Sequence, residues 1–122
     1  MLTLIMSADT PRNANAEEAV LGALLLDNAG AREIGGLLSE ADFHYLDHRL
    51  VYRRIMRMIE EGEPTDVLTV AGELEIEHPM HHSDWTGFLA GIAQNTPAAN
   101  RIRHYAGIVR ELALARRNAP HD

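Results

Sequence analysis

The chain has 122 residues, 46% hydrophobic and 24% charged, with a net charge of −7 and no cysteine. That length fits one domain able to bury a real core. The missing cysteine excludes disulfides and thiolate metal sites and fits a reducing, cytoplasmic compartment. All eleven basic residues are arginine, so a P-loop and lysine Schiff-base chemistry are excluded for this chain, since each needs a lysine amine. No apolar run approaches the ~20 residues of a membrane span, and the opening Met1-Leu2-Thr3-Leu4-Ile5-Met6 lacks the basic start and apolar length of a signal peptide.

Residues 1–13 read as a tail. Asn15 is a candidate cap for a first helix, with Glu17 and Glu18 in its first turn, where acidic groups favour the macrodipole. Val20, Leu21, Leu24 and Leu25 repeat as a buried face. Gly22 among them weakens a helix, so its presence predicts close approach by a neighbouring one. Asp27-Asn28 closes this helix, and a weak second one follows over 29–38, loosened by Gly30, Gly35 and Gly36. Ser39 to Phe43 predicts a short helical turn that carries Phe43 inward.

Asp47 is expected to cap a stronger helix over 48–61, with Val51, Ile55, Met58 and Ile59 inward, ended by Gly62-Glu63-Pro64. Asp66, with Thr69 three residues on, opens a helix to Glu77. His78 to His82 form a loop. Ser83 or Asp84 caps a helix whose Trp85, Phe88, Leu89 and Ile92 follow i, i+3, i+4, i+7 spacing. The longest helical signal covers 96–117, capped by Thr96 with Pro97 at the first position. Ala98, Ile102, Tyr105, Ala106, Val109, Leu112 and Ala113 line one face, and the shorter elements are expected to pack on this helix. Leu114 falls off that face and Arg116 falls on it. With no alternating strand pattern, the fold class is all-α: an orthogonal bundle of about six helices over 14–117, no sheet, and a short tail over 118–122.

The charge is unevenly spread. Residues 97–117 hold five arginines against Glu111, whereas residues 1–96 hold six arginines against sixteen acids. The whole domain is therefore a poor non-specific nucleic-acid binder. Arg49, Arg53, Arg54 and Arg57, spaced by three and four, are the nucleic-acid candidates, although no interleaved aromatics supply base stacking. Pairing with carboxylates is their commoner use. His78, His81 and His82 have only loop spacing for a metal, so no metal site is assigned. Ser39 and Ser83 read as turn or cap residues, Ser7 lies in the tail, and no nucleophile elbow is present. No catalytic residue and no cofactor are assigned.

Three blocks carry a family resemblance. The first is Pro11 followed by Ala16-Glu17-Glu18-Ala19-Val20-Leu21-Gly22-Ala23-Leu24-Leu25-Leu26-Asp27-Asn28. The second is Ala41-Asp42-Phe43, His48-Arg49, Val51-Tyr52 and Ile55, then Gly62-Glu63-Pro64-Thr65-Asp66 and Leu68-Thr69-Val70. The third is Phe88-Leu89-Ala90, Asn95-Thr96-Pro97-Ala98-Ala99 and Tyr105-Ala106-Gly107-Ile108-Val109-Arg110-Glu111. In order and spacing they resemble the N-terminal domain of the bacterial replicative helicase, the DnaB family, across 11–117. Asn15, His44, Arg101 and the loop over 78–84 depart from the family pattern.

The resemblance implies a helical domain that is not the motor. In the family such a domain precedes a helical hairpin, a linker and a RecA-like ATPase, which holds the ATP and Mg. It associates with its own copies in a hexamer collar that recruits primase and, by extension, a loader. This chain stops at Asp122 and is read as either a fragment or a stand-alone relative that binds helicase or primase. Arg101, Ile108, Leu114, Ala115 and Arg116 are the interface candidates, with DNA contacted weakly or indirectly and no membrane involved.

Overall fold

A computed structural model describes residues 10–79, 81 and 84–118. Among these, six α-helices and two 3-10 turns are present and no strand: α1 (Ala14–Leu26), α2 (Gly30–Ile34), a 3-10 turn (Glu40–Asp42), α3 (Leu46–Glu60), α4 (Val67–Glu77), α5 (Trp85–Gln94), a second 3-10 turn (Ala99–Arg101) and α6 (Ile102–Asn118). The all-α expectation holds. Residues 1–9, Met80, His82, Ser83 and 119–122 lie outside the described residues, and with them most of the expected tails, Ser7, one expected loop histidine and one of two expected caps.

The centre of the bundle is α1, not the last helix. Ala16, Ala19, Val20, Leu21, Ala23, Leu24 and Leu25 are all buried, so α1 is apolar around most of its circumference and must be covered on several sides. It packs against α3, α5 and α6. By contrast, α6 buries a single stripe of Ile102, Ala106, Val109 and Ala113. A helix with one apolar stripe covers a core; a helix apolar all round is the core.

Local capping explains most boundaries. The side chain of Asn13, two residues before the expected cap, accepts from the Ala16 N–H and starts α1. Asp66 opens α4 as expected, and it forms a reciprocal box with Thr69, each side chain accepting from the other's backbone N–H. Asp84 accepts from the Gly87 N–H to start α5. Gly62 adopts φ +73° after α3, a left-handed conformation that glycine reaches without strain. Asp47 lies in the first turn of α3 rather than at its cap, which is Tyr45.

Two expected helices are shorter. The second spans only Gly30–Ile34, ending at Gly35, yet Gly30 lets it sit against α6: a Cβ there would stand 3.1 Å from Ile102 Cδ1. The last helix starts at Ile102 rather than after Thr96. Thr96 does not cap it, because its hydroxyl donates backwards to the Ile92 carbonyl at 2.9 Å and finishes α5. The chain then makes the Ala99–Arg101 turn before entering α6.

Gly22 meets its expectation. A Cβ at this position would lie 1.7 Å from Thr96 Oγ1 and 2.9 Å from the Ile92 carbonyl oxygen. Absence of a side chain is what lets α1 lie against the end of α5, so the first and third sequence blocks meet at this contact.

Candidate functional site

Two carboxyl groups that the sequence places in helix starts, where acids are usually solvated, are buried. Glu17 is 2% exposed and Asp42 is 1% exposed. Glu17 accepts from the His44 N–H at 2.7 Å and the Tyr45 N–H at 3.4 Å, and His48 Nδ1 lies 2.7 Å from its Oε1. These bonds tie α1 to the loop entering α3. His48 Nε2 also stands 3.4 Å from Glu18 Oε2. His44, in that loop, is held below the usual imidazole range by partial burial and by the nearby Arg116 charge.

Asp42 anchors the end of α6. Its carboxylate accepts from the Ser39 N–H at 2.9 Å, from Arg110 at 3.1 Å and from Arg117 at 2.7 Å. Burial alone would raise this carboxyl's pKa; the Ser39 N–H and the guanidiniums of Arg117 and Arg110 outweigh it, and the net shift is downward. Arg116 donates to the backbone carbonyls of Asp42 at 2.6 Å and of Pro11 at 2.9 Å. Arg12 in turn donates to the Tyr45 hydroxyl at 3.1 Å. Residues 11 and 12, expected to belong to a free tail, are therefore fastened to the end of α6 and to the loop entering α3.

The interface candidates separate into three groups. Ile108 is half-buried and Ala115 exposed, seven residues apart and so on one face of α6. Arg101 is exposed in the turn just before the helix. Leu114, 41% exposed, points about 100° away from Ala115. Arg116 is on the inner side, engaged by Pro11 and Asp42, so its place on the apolar stripe reflects an internal contact.

Ile108 lines a cavity of about 370 Å³ with Ala19, Glu18, Thr96, Pro97 and Tyr105. Most of its walls come from the first and third sequence blocks, completed by Asn13, Asn15 and Ile92. A second hollow of about 340 Å³, beside Tyr45, Leu46 and Phe88, shares Glu18 with it.

The four arginines of α3 do not make a free basic patch. Arg49 donates to the Phe43 carbonyl at 2.6 Å, and Arg53 bonds the Glu40 carboxylate at 2.8 Å. Arg54 is buried and forms a two-pronged ion pair with Glu77. Arg57, the fourth, is exposed. Carboxylate pairing, the commoner use of such a cluster, accounts for Arg53 and Arg54. Of the loop histidines, His81 pairs with Asp47 and stacks on Trp85, with ring centroids 5.9 Å apart. Among the described residues no group of three or more His, Asp or Glu is placed to hold a metal ion. Ser39 serves as the cap of its 3-10 turn.

Buried carboxyl groups consumed by backbone N–H and arginine donors, and hollows lined by helix surfaces, define an all-helical domain whose polar groups organise packing and whose outer faces are available for contact. The chain belongs to the DnaB-like helicase N terminal domain family, which matches residues 9–111. It is 33% identical over 109 residues to the replicative DNA helicase DnaB of Buchnera aphidicola, covering 89% of this chain and 24% of that protein. It is 33% identical over 107 residues to the Geobacillus stearothermophilus replicative DNA helicase DnaB, covering 88% and 24%. A crystal structure of the N-terminal domain of DnaB helicase from Mycobacterium tuberculosis superposes with a TM-score of 0.84 at 33% identity, covering 89% of this chain and 79% of that one. The chain thus spans about a quarter of the length of these curated relatives. No helix among the described residues is long and apolar enough to cross a membrane.

Proposed function

We propose that this domain is a non-catalytic assembly module of a cytoplasmic replicative helicase system, associating with its own copies and recruiting primase or a loader during DNA replication. The observation that carries the reading is the outer surface of α6, where Ile108 borders the 370 Å³ cavity and Leu114 is 41% exposed. Family membership supplies the biological setting. Ile108, Ala115 and Arg101 form the contact face in this reading, with Leu114 at its margin. Arg116 contributes indirectly, by holding the end of α6 against Asp42.

The DNA-contacting alternative loses weight because Arg49, Arg53 and Arg54 are already bonded within the domain. The stand-alone regulator remains the variant in which the same surface titrates helicase or primase. Surface plasmon resonance of the immobilised domain against primase, a loader, and forked DNA at low salt separates these readings. Binding to primase or loader that weakens with Ile108→Asp supports the assembly module. Binding to forked DNA alone, with a steep salt dependence, overturns it.

A further inference from the structure

Helix α4 carries a face that the domain itself does not use. Its buried side, Val70, Ala71 and Leu74, packs where α4 meets α3 and α5. On the opposite side Leu68 and Ile76 are 73% and 76% exposed, more than any other large apolar side chain among the described residues. Gly72 stands midway between them, so the three occupy one strip at i, i+4 and i+8.

Gly72 has no internal reason to be glycine. A Cβ there would meet nothing within 4 Å, and its φ is not in the left-handed region. Gly22, in contrast, is required by its neighbours' approach, and a Cβ at Gly30 would stand 3.1 Å from Ile102 Cδ1. A mid-helix glycine weakens the helix, and here it leaves a notch between two exposed aliphatic side chains. Such a notch admits an incoming side chain or a second helix at close range.

The charge around the strip narrows the occupant. Residues 58–84 contain eight acidic residues and no arginine. Glu75, exposed, and Glu73, half-buried, flank the strip and have no ion-pair partner among the described residues. This field repels nucleic acid and anionic lipid surfaces. A two-fold contact with a second copy would bring two such acidic segments together.

We propose that the outer face of α4 docks a basic amphipathic helix of a partner protein. Aliphatic side chains of the partner seat beside Leu68 and Ile76 around the Gly72 notch, and its Arg or Lys residues meet Glu73 and Glu75. This surface is separate from the α6 surface, because α4 packs on α3 and α5, and it stands or falls independently of that reading.

The test uses a synthetic amphipathic helix with leucine on one face and lysine on the other, and a counterpart with glutamate in place of lysine. Fluorescence anisotropy measures binding and amide chemical shifts locate it. The lysine peptide is expected to bind and to perturb residues 68–76, with the glutamate peptide at least roughly tenfold weaker. Gly72→Gln fills the notch with a better helix former in open space, so the fold is retained while lysine-peptide affinity falls about tenfold. Leu68→Ser with Ile76→Ser has the same effect. Equal binding of both peptides, unchanged affinity in Gly72→Gln, shifts confined to another face, or wild-type self-association abolished by Leu68→Ser would each overturn the proposal.

Discussion

Replacing Gly22 by alanine sets helix propensity against packing in one measurement. In an open helix the change favours folding by about 1 kcal/mol, because alanine loses less backbone freedom. Here the new methyl would stand 1.7 Å from Thr96 Oγ1. The Thr96 side chain must rotate away, giving up its hydrogen bond to the Ile92 carbonyl, a net loss of about 1 kcal/mol. The methyl would also stand 2.9 Å from the Ile92 carbonyl oxygen itself. That atom is backbone and cannot rotate away, so α1 and α5 must part, an overpacking penalty of about 1–3 kcal/mol. Set against the propensity gain, the net destabilisation is about 2 kcal/mol. Urea denaturation followed by circular dichroism reads this as a lower midpoint at unchanged slope. Thr96→Ala alone should cost about 1 kcal/mol, and the double variant less than the sum, since the clashing oxygen is gone. A Gly22→Ala domain more stable than wild type, or strictly additive behaviour with Thr96→Ala, would refute the packing account.

Asp42→Asn leaves Arg110 and Arg117 without their carboxylate and should destabilise the domain by about 2 kcal/mol at neutral pH. Because the Asp42 pKa is lowered in the folded domain, its contribution is present above the ordinary carboxyl range and lost on acidification below about pH 4. Denaturation midpoints across pH 7 to 3 should therefore converge between wild type and Asp42→Asn; a constant gap at all pH values contradicts the assignment. Glu17→Gln turns an NH₂ group toward donors now bonded by the second carboxyl oxygen, and a thermal melt should reveal a loss of about 2 kcal/mol, whereas Glu18→Gln, partly exposed, should change little. Gly72→Ala should stabilise the domain by about 0.5–1 kcal/mol in the same melts, because the site is open and helical.

Features fixed by neighbouring residues were legible in the sequence. The Asp66–Thr69 box, the Gly62 stop and the Asp84 cap all lie within a few residues of the groups they satisfy. The significance of Gly22 was also legible, since a glycine amid Val20, Leu21 and Leu24 weakens its helix and gains nothing unless a neighbour comes close. The start of α6 was not. Thr96-Pro97 has the composition of a helix start, but the Thr96 hydroxyl finds a nearer acceptor in the preceding helix. The central role of α1 was obscured because a continuous apolar circumference carries less periodic signal than the clean stripe of α6.

The buried acids escaped because their partners are distant in sequence: Arg117 is 75 residues from Asp42, and His48 is 31 residues from Glu17. One signal was present for Glu17, which falls on the same helical face as Val20, Leu21 and Leu24; a charge on an apolar stripe implies a buried partner. Arg116 gave the same signal on α6. Its position on the apolar face read as an unfinished contact with another molecule, and the structure supplies Pro11 and Asp42 instead.

Sedimentation equilibrium over a concentration series tests whether the domain assembles through the outer face of α6. Wild type, Ile108→Asp and Leu114→Asp are compared, with circular dichroism to verify that each remains helical. The wild-type mass is expected to rise with concentration, the rise to be strongly reduced in Ile108→Asp, and to be reduced less in Leu114→Asp at the margin of the face. Identical association curves for wild type and a fully folded Ile108→Asp would contradict assembly through this face.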